Sequence, residues 1–307
     1  MDDVEGLIRS TLQSVFAAGE VTTAELDDLG WAELIADDPA LAVTVLFDEQ
    51  GRSGASSAML DVEVARVIGC DLGAAVIFPV AGDDFIAVSD GFATGAVVGP
   101  SSGSLVSGVV LDDGRPAVVS VALGAGREGA AEVLEARGTW RRVRFAVEGC
   151  SMAPVDVAAW SAGMAAARRA VAFELLGLGW AMLDLACAHA REREQFGRPI
   201  GSFQAVQHQL ADAAVALYGA KALADESWTD ARTEVTLAVK AEASTATLLA
   251  ARTAQQVLGG MGFTAEHPFG ALFRRALVLD RVLGTPASCY QRLAELLDAE
   301  TAPAGSL

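Results

Sequence analysis

The chain is poor in the residues that bind metals and make crosslinks. It has four cysteines and three histidines in 307 residues. Cys70, Cys150, Cys187 and Cys289 stand far apart with no C-x-x-C pair, and His189 beside Cys187 is too little to make a zinc site. Buried free thiols in a reducing cytosol are expected. Basic residues are also scarce, 22 against 40 acidic ones, for a net charge of −18. Such a charge argues against nucleic acid and anionic membrane as partners, so any anionic ligand must be held by local arginines. The acidic start Met1-Asp2-Asp3-Val4-Glu5 is not the n-region of a secretory signal. The most apolar long stretch, 170–188, carries Glu174 and Asp184, which would be costly at the centre of a bilayer. These absences together predict a cytoplasmic protein. There is no internal repeat and no low-complexity tract.

With 52% hydrophobic and 20% charged residues the chain can bury a sizeable core and make two or three domains. Residues 1–70 read as short helices, from the helical spacing of Val4, Leu7, Ile8 and Leu12, then of 24–26, then of 58–68. Across 71–152 the pattern changes to short β-branched runs at 75–80, 85–88, 96–98 and 117–121. Turn signals at 82–84, 99–103 and 112–114 separate them, which predicts a small β-barrel or sandwich. From 153 to 299 the pattern is helical again. The Ala-rich stretch 157–191 is apolar on nearly every side, so it is buried among other helices. Ser202 is a good N-cap for a helix to about 225, Thr229 or Asp230 can start another that ends at Gly259-Gly260, and two shorter helices follow near 268–280 and 286–299. The tail 300–307 is expected to be disordered. The fold class is α+β, mainly α.

Two motifs lie in the last part. One is Arg191-Glu192-Arg193-Glu194-Gln195-Phe196-Gly197-Arg198-Pro199-Ile200 and the other Gln255-Gln256-Val257-Leu258-Gly259-Gly260-Met261-Gly262-Phe263. They resemble the Arg-x-Gln-Phe-Gly-x-Pro-Ile and Gln-x-x-Gly-Gly-x-Gly-Phe signatures of flavin-dependent acyl-CoA dehydrogenases, in the same order. The resemblance is strong over 155–299 and implies N-terminal helices, a small middle β domain and a C-terminal four-helix bundle. It also implies an FAD cofactor, an acyl-CoA substrate and electron-transfer flavoprotein as acceptor. The N-terminal helical part and the β domain look short for the family, and the β segment shows no match to the family's Gly-Ser-Asp and Trp-Ile-Thr stretches.

The same resemblance exposes a missing group. Family chemistry needs a carboxylate to take the α proton of the thioester, and Leu283 stands at that place in Arg281-Val282-Leu283-Gly284-Thr285. The alternative base position, on the long first helix of the bundle, falls at Ala167. Asp280 and Glu174 are fallback acids, each expected to be simply solvated. The cofactor residues are kept: Arg193 matches the arginine that reaches the FAD pyrophosphate of the other subunit. Phe196 would pack against the adenosine half, Gly197 would end the helix, and Gln256, Gly259 and Gly260 would touch the ADP part. Thr285 matches a flavin-side turn or is a helix N-cap. His208 reads as a polar helix residue, His267 as part of a turn, and Arg168-Arg169 as residues that touch substrate or hold an interface ion pair, the second being favoured. A chain that keeps the residues serving a neighbour's flavin and lacks its own base resembles the base-less subunit of a heteromeric, α2β2 acyl-CoA dehydrogenase, of the kind that includes steroid-CoA-oxidising members, paired with a base-carrying subunit. An active homomer with a relocated base and a flavin-free scaffold subunit are the other readings.

Overall fold

The computed structural model describes residues 2–17, 19–69, 75–99, 105–112, 114–123, 130–137, 140–150, 152–264 and 266–301. In chain order the elements are α1 Asp2–Phe16, β1 Glu20–Val21, α2 Thr23–Asp27, α3 Trp31–Asp37, α4 Pro39–Ser53, β2 Ser56–Ser57 and α5 Met59–Ile68. The β region follows, with β3 Ala75–Val76, β4 Ile86–Ser89, β5 Phe92–Val98, β6 Leu105–Asp112, β7 Arg115–Leu123, β8 Ala130–Arg137, β9 Trp140–Ala146 and β10 Met152–Ala153. Last come α6 Val157–Glu192, β11 Glu194–Gln195, β12 Arg198–Pro199, α7 Gln204–Glu226, α8 Thr233–Leu258, α9 Phe269–Arg281 and α10 Pro286–Thr301. The class is α+β, mainly α, as the pattern predicts. Of the expected disordered tail, residues 302–307 lie outside the described residues, and Thr301 still belongs to α10.

The residues cluster into two units. The first holds 1–57, 169–229 and 242–280. Its short helices start on local signals. Thr22 and Glu25 form a capping box before α2, and Asp38 accepts from the Leu41 amide before α4, whose first residue is Pro39. α4 buries polar side chains that a period-counting reading takes for a solvent face. Asp48 and Glu49 are buried because Arg9 of α1 reaches both, at 2.6 and 2.8 Å. Gly51 of α4 and Gly177 of α6 sit where the helices cross so closely that a Cβ on either would strike the backbone of the other helix. α6 is long and apolar enough to cross a membrane, but 72% of its most apolar window is buried inside the protein.

The second unit holds 58–168, 230–241 and 281–307. Its strands pair in the cycle β7-β8-β9-β5-β4-β6 and back to β7, so the small barrel closes and β3 and β10 pair onto β6 and β7. The closure rests on short pairings at two seams, Ala122 with Ala130 and Leu123 with Ala131 between β7 and β8, and Ile86 with Val110 and Ala87 with Leu111 between β4 and β6. Two-residue turns set the registers. Ser89 faces Phe92 across Asp90-Gly91, whose φ angles are 53° and 77°, and Asp112 faces Arg115 across a turn with Gly114 at 74°. Ile77, Val97, Val106, Val110, Val119 and Phe145 are part of the apolar filling.

Candidate functional site

The first motif is a hairpin rather than a helix end. α6 stops at Glu192, and β11 and β12 pair with Gln195 opposite Arg198. The loop between them is Phe196-Gly197, at φ 54° and 77°, the doubly left-handed turn whose twist suits a two-residue hairpin. Gly197 therefore does not end the helix; it supplies the second turn position, where a residue without Cβ carries no penalty. Phe196 takes the first at a steric cost of about 1–2 kcal/mol, and it is 93% exposed. Its ring stands edge-on to Phe203 at 6.1 Å, and the Arg198 guanidinium lies over Phe203 at 4.2 Å. The Arg193 carbonyl accepts from the Ile200 amide at 2.8 Å, which ties the hairpin base. The Arg193 side chain is exposed and has no partner among the described residues. Ser202 does not cap the next helix. Its hydroxyl donates to Pro199 in a short 3-10 turn, and Phe203 takes the N-cap place.

The second motif closes α8. Gly259 is left-handed at φ 58° and opens a 3-10 turn, Gly259–Phe263. Gln256, Gly259 and Gly260 are exposed, and a Cβ at either glycine would meet nothing within 4 Å. Gly262 differs, since its Cβ would press on Leu258 at 3.3 Å. The first two glycines leave open approach and the third serves packing. Beside this turn is a cavity of about 450 Å³ lined by Gly262, Phe263, His267, Phe273 and Arg274 among others. The sequence reading missed it; the aromatic spacing of 269 and 273 followed by Arg274 was the available signal. His267 is a turn residue, its Nδ1 accepting from the Phe269 amide at 3.2 Å, and His208 is exposed on α7.

The turn between α9 and α10 holds the residue at the expected base position. Leu283 is fully buried and left-handed, at φ 61°, and its amide donates to the Pro79 carbonyl at 2.9 Å. Thr285 caps α10, its hydroxyl accepting from the Ser288 amide at 3.3 Å. Ala167, the other expected base position, is fully buried and apolar. Arg168 is also fully buried, paired with Asp84 at 2.7 Å and donating to the Gly82 carbonyl; Arg169 is buried too and donates to the Ser227 carbonyl at 2.8 Å. The expected interface role fails for both, because each is used inside the chain. Glu174 is not solvated either. It is buried, with Arg275 donating to one oxygen at 2.7 Å and Gln50 to the other at 2.9 Å. Asp280 is half-buried.

Among the described residues no group of histidine, cysteine, aspartate or glutamate could hold a metal ion. Cys150, Cys187 and Cys289 are not joined in disulfides, and burial pushes the thiols of Cys150 and Cys187 up, which favours their protonated form; Cys70 lies outside the described residues. Arg193, Phe196, Gln256, Gly259 and Gly260 all belong to the first unit, and Leu283 and Thr285 to the second.

Comparison with known proteins agrees with these motifs. Residues 157–296 match the family model of the acyl-CoA dehydrogenase C-terminal domain. Acyl-CoA dehydrogenase IpdE2 of Mycolicibacterium smegmatis is 39% identical over 124 residues, 40% of this chain and 40% of the relative. The match thus spans two fifths of that relative's length. Among solved structures, the ChsE4-ChsE5 complex from Mycobacterium tuberculosis has a TM-score of 0.72 at 20% identity, over 99% of this chain and 98% of the other. A steroid ACAD variant, Tcur3481-Tcur3483, also has a TM-score of 0.72, at 22% identity, over 96% and 99%. At these identities the two structures establish the fold.

Proposed function

We propose that this chain, whose residues 157–296 match the acyl-CoA dehydrogenase C-terminal domain, is the base-less, FAD-contacting subunit of a heteromeric acyl-CoA dehydrogenase. The observation that carries this reading is Leu283, an apolar side chain buried at the position where the family's proton acceptor is expected. A leucine cannot take the α proton of a thioester, and Ala167 cannot either. The two fallback acids do not replace it, since Glu174 is already committed to Arg275 and Gln50 and Asp280 is only half-buried at the end of α9.

The residues present fit FAD as a ligand shared with a neighbour. Arg193 offers an exposed guanidinium without a partner among the described residues, and a planar fork of donors suits pyrophosphate oxygens. Phe196 offers an exposed ring for the adenosine half. Gly259 and Gly260 leave backbone open to close approach, with Gln256 beside them. When bound, the flavin supplies the hydride acceptor for a Cα–Cβ oxidation. Thr285 is used as the α10 cap.

In this reading a second, base-carrying subunit removes the proton, and the assembly is an α2β2 complex in the cytosol that passes electrons to an electron-transfer flavoprotein. The likeness of fold to a steroid ACAD and to the two-component ChsE4-ChsE5 complex supports a two-component enzyme and a bulky, steroidal acyl-CoA substrate. The test is the co-expressed complex with the partner's carboxylate replaced by its amide. Dehydrogenase activity should vanish. Activity that survives would mean that this chain supplies a base of its own.

A further inference from the structure

We propose that the end of α4 forms, with α6 and α9, a binding site for a compact neutral alcohol, an alicyclic hydrocarbon carrying one hydroxyl group. The site is a cavity of about 470 Å³, within the range of about 300–1,000 Å³ usual for small-molecule pockets. All of its lining belongs to the first unit, and none of it is among the residues matched to flavin or base. The inference goes beyond the reading above and does not rest on it.

The cavity follows from how the helices cross. α4 and α6 meet backbone to backbone at Gly51 and Gly177, and α4 ends soon afterwards, at Ser53. Beyond that end α6 runs on without α4 beside it. Ala181, Leu185 and Ala188, successive turns past Gly177, line one side, and Pro268, Ala271 and Leu272 at the start of α9 line the other. Gly54, left-handed at φ 70°, closes the base; a Cβ there would stand 3.0 Å from Leu272 Cδ2, so the wall is fixed before any ligand arrives. The alanines and the proline leave a short, broad hollow that suits a rigid ring system, which also has little conformational freedom to lose.

Two charges decide what the ring must carry. The Arg52 guanidinium is held by Asp48, Nε donating to Oδ2 at 3.1 Å, and Asp48 is itself buried and paired with Arg9 at 2.6 Å. Arg52 Nη1 faces Oδ2 of Asp184 at 3.8 Å, beyond hydrogen-bond distance, and the Asp184 side chain is 70% exposed. A donor and an acceptor so separated are both met by one hydroxyl oxygen at about 2.8–3.0 Å from each, which accepts from Arg52 and donates to Asp184. Neither charged alternative fits. An ammonium group would face Arg52 and a carboxylate would face Asp184, like charge against like. A bare hydrocarbon would strip water from the Arg52 donors and give them no partner. Ser53, the other polar side chain of the lining, is used locally, donating to the Gln50 carbonyl and accepting from the Ala55 amide.

The test uses the full chain in its co-expressed complex and three probes of one shape, adamantanol, adamantylamine and adamantane carboxylate, titrated calorimetrically. Adamantanol should bind at one site per copy of this chain, and the two charged probes about tenfold more weakly. Ala188→Trp, at an exposed position, should fill the cavity and abolish adamantanol binding with an unchanged thermal melt. Asp184→Ala, also exposed, should reverse the order of alcohol and carboxylate, since a carboxylate then meets only Arg52. Absence of adamantanol binding, binding that survives Ala188→Trp, equal binding of the three probes, or an order that Asp184→Ala leaves unchanged would overturn the proposal. Flavin content tests the base-less reading separately, because it does not depend on this cavity.

Discussion

Lys240, fully buried on α8, donates from Nζ to the carbonyl of Gly284 at 2.9 Å. Gly284, at φ 102°, lies against Gly82 so closely that a Cβ would stand 2.7 Å from the Gly82 Cα. With the Leu283 amide held by Pro79, the turn at the empty base position is fixed by backbone contacts on several sides. Lys240→Met keeps the aliphatic stem but removes that buried donor. A loss of about 1–3 kcal/mol is expected, read as a lower urea midpoint with an unchanged slope. An unaltered midpoint would show that the carbonyl is satisfied otherwise.

Restoring a carboxylate at the turn should not restore chemistry. Leu283→Glu puts an ionisable group where no solvent reaches, so stability falls and the new carboxyl titrates upward. A base also needs thioester and flavin held in register. Turnover per complex in a steady-state dehydrogenase assay should therefore not rise. A doubling would mean that a second complete pocket was waiting for its base.

Asp61 sets a pH dependence. Burial pushes its carboxyl up to about 7, opposed by the Val76 amide, which it accepts at 3.1 Å, and by Arg141. Between its ordinary value of 3.8 and about 7 the folded chain binds more protons than the unfolded one. This contribution is therefore complete below the unfolded value and is lost as the pH rises through 7. Asp61→Asn should flatten the fall in melting temperature between pH 5 and 8 and be the more stable form at pH 8. Parallel curves would refute the assignment.

Arg193→Ala, in the assembled complex, removes a charge-assisted contact of roughly 1.5–3 kcal/mol, hence about a ten- to hundredfold loss of FAD affinity. Flavin should leach on dilution, and excess FAD should restore much of the turnover. If affinity holds while assembly fails, Arg193 is an interface residue only.

What the sequence made legible was whatever depends on local period. The 157–191 stretch became α6 with one residue to spare, and 268–280 and 286–299 became α9 and α10. The strand β9 is hard to read because Arg141, Arg142 and Arg144 crowd it, although Val143 and Phe145 join the barrel filling. Asp90-Gly91 is a two-residue hairpin turn of a type that its sequence alone signals. Glu174 was beyond reach: what buries it is Arg275 and Gln50, about a hundred residues away on either side. For the candidate site, motif spacing singles out Arg193 and the glycines as candidates, but not that Phe196 and Gly197 make a hairpin tip, since the pairing of Gln195 with Arg198 follows the helix without any β-rich run.

The most direct measurement is flavin stoichiometry. The chain expressed alone should be colourless or poorly soluble, and the purified complex with its base-carrying partner should hold one FAD for every two chains by absorbance against amino-acid analysis. A yellow, stable homodimer with one FAD per chain and dehydrogenase activity on an acyl-CoA would contradict the account.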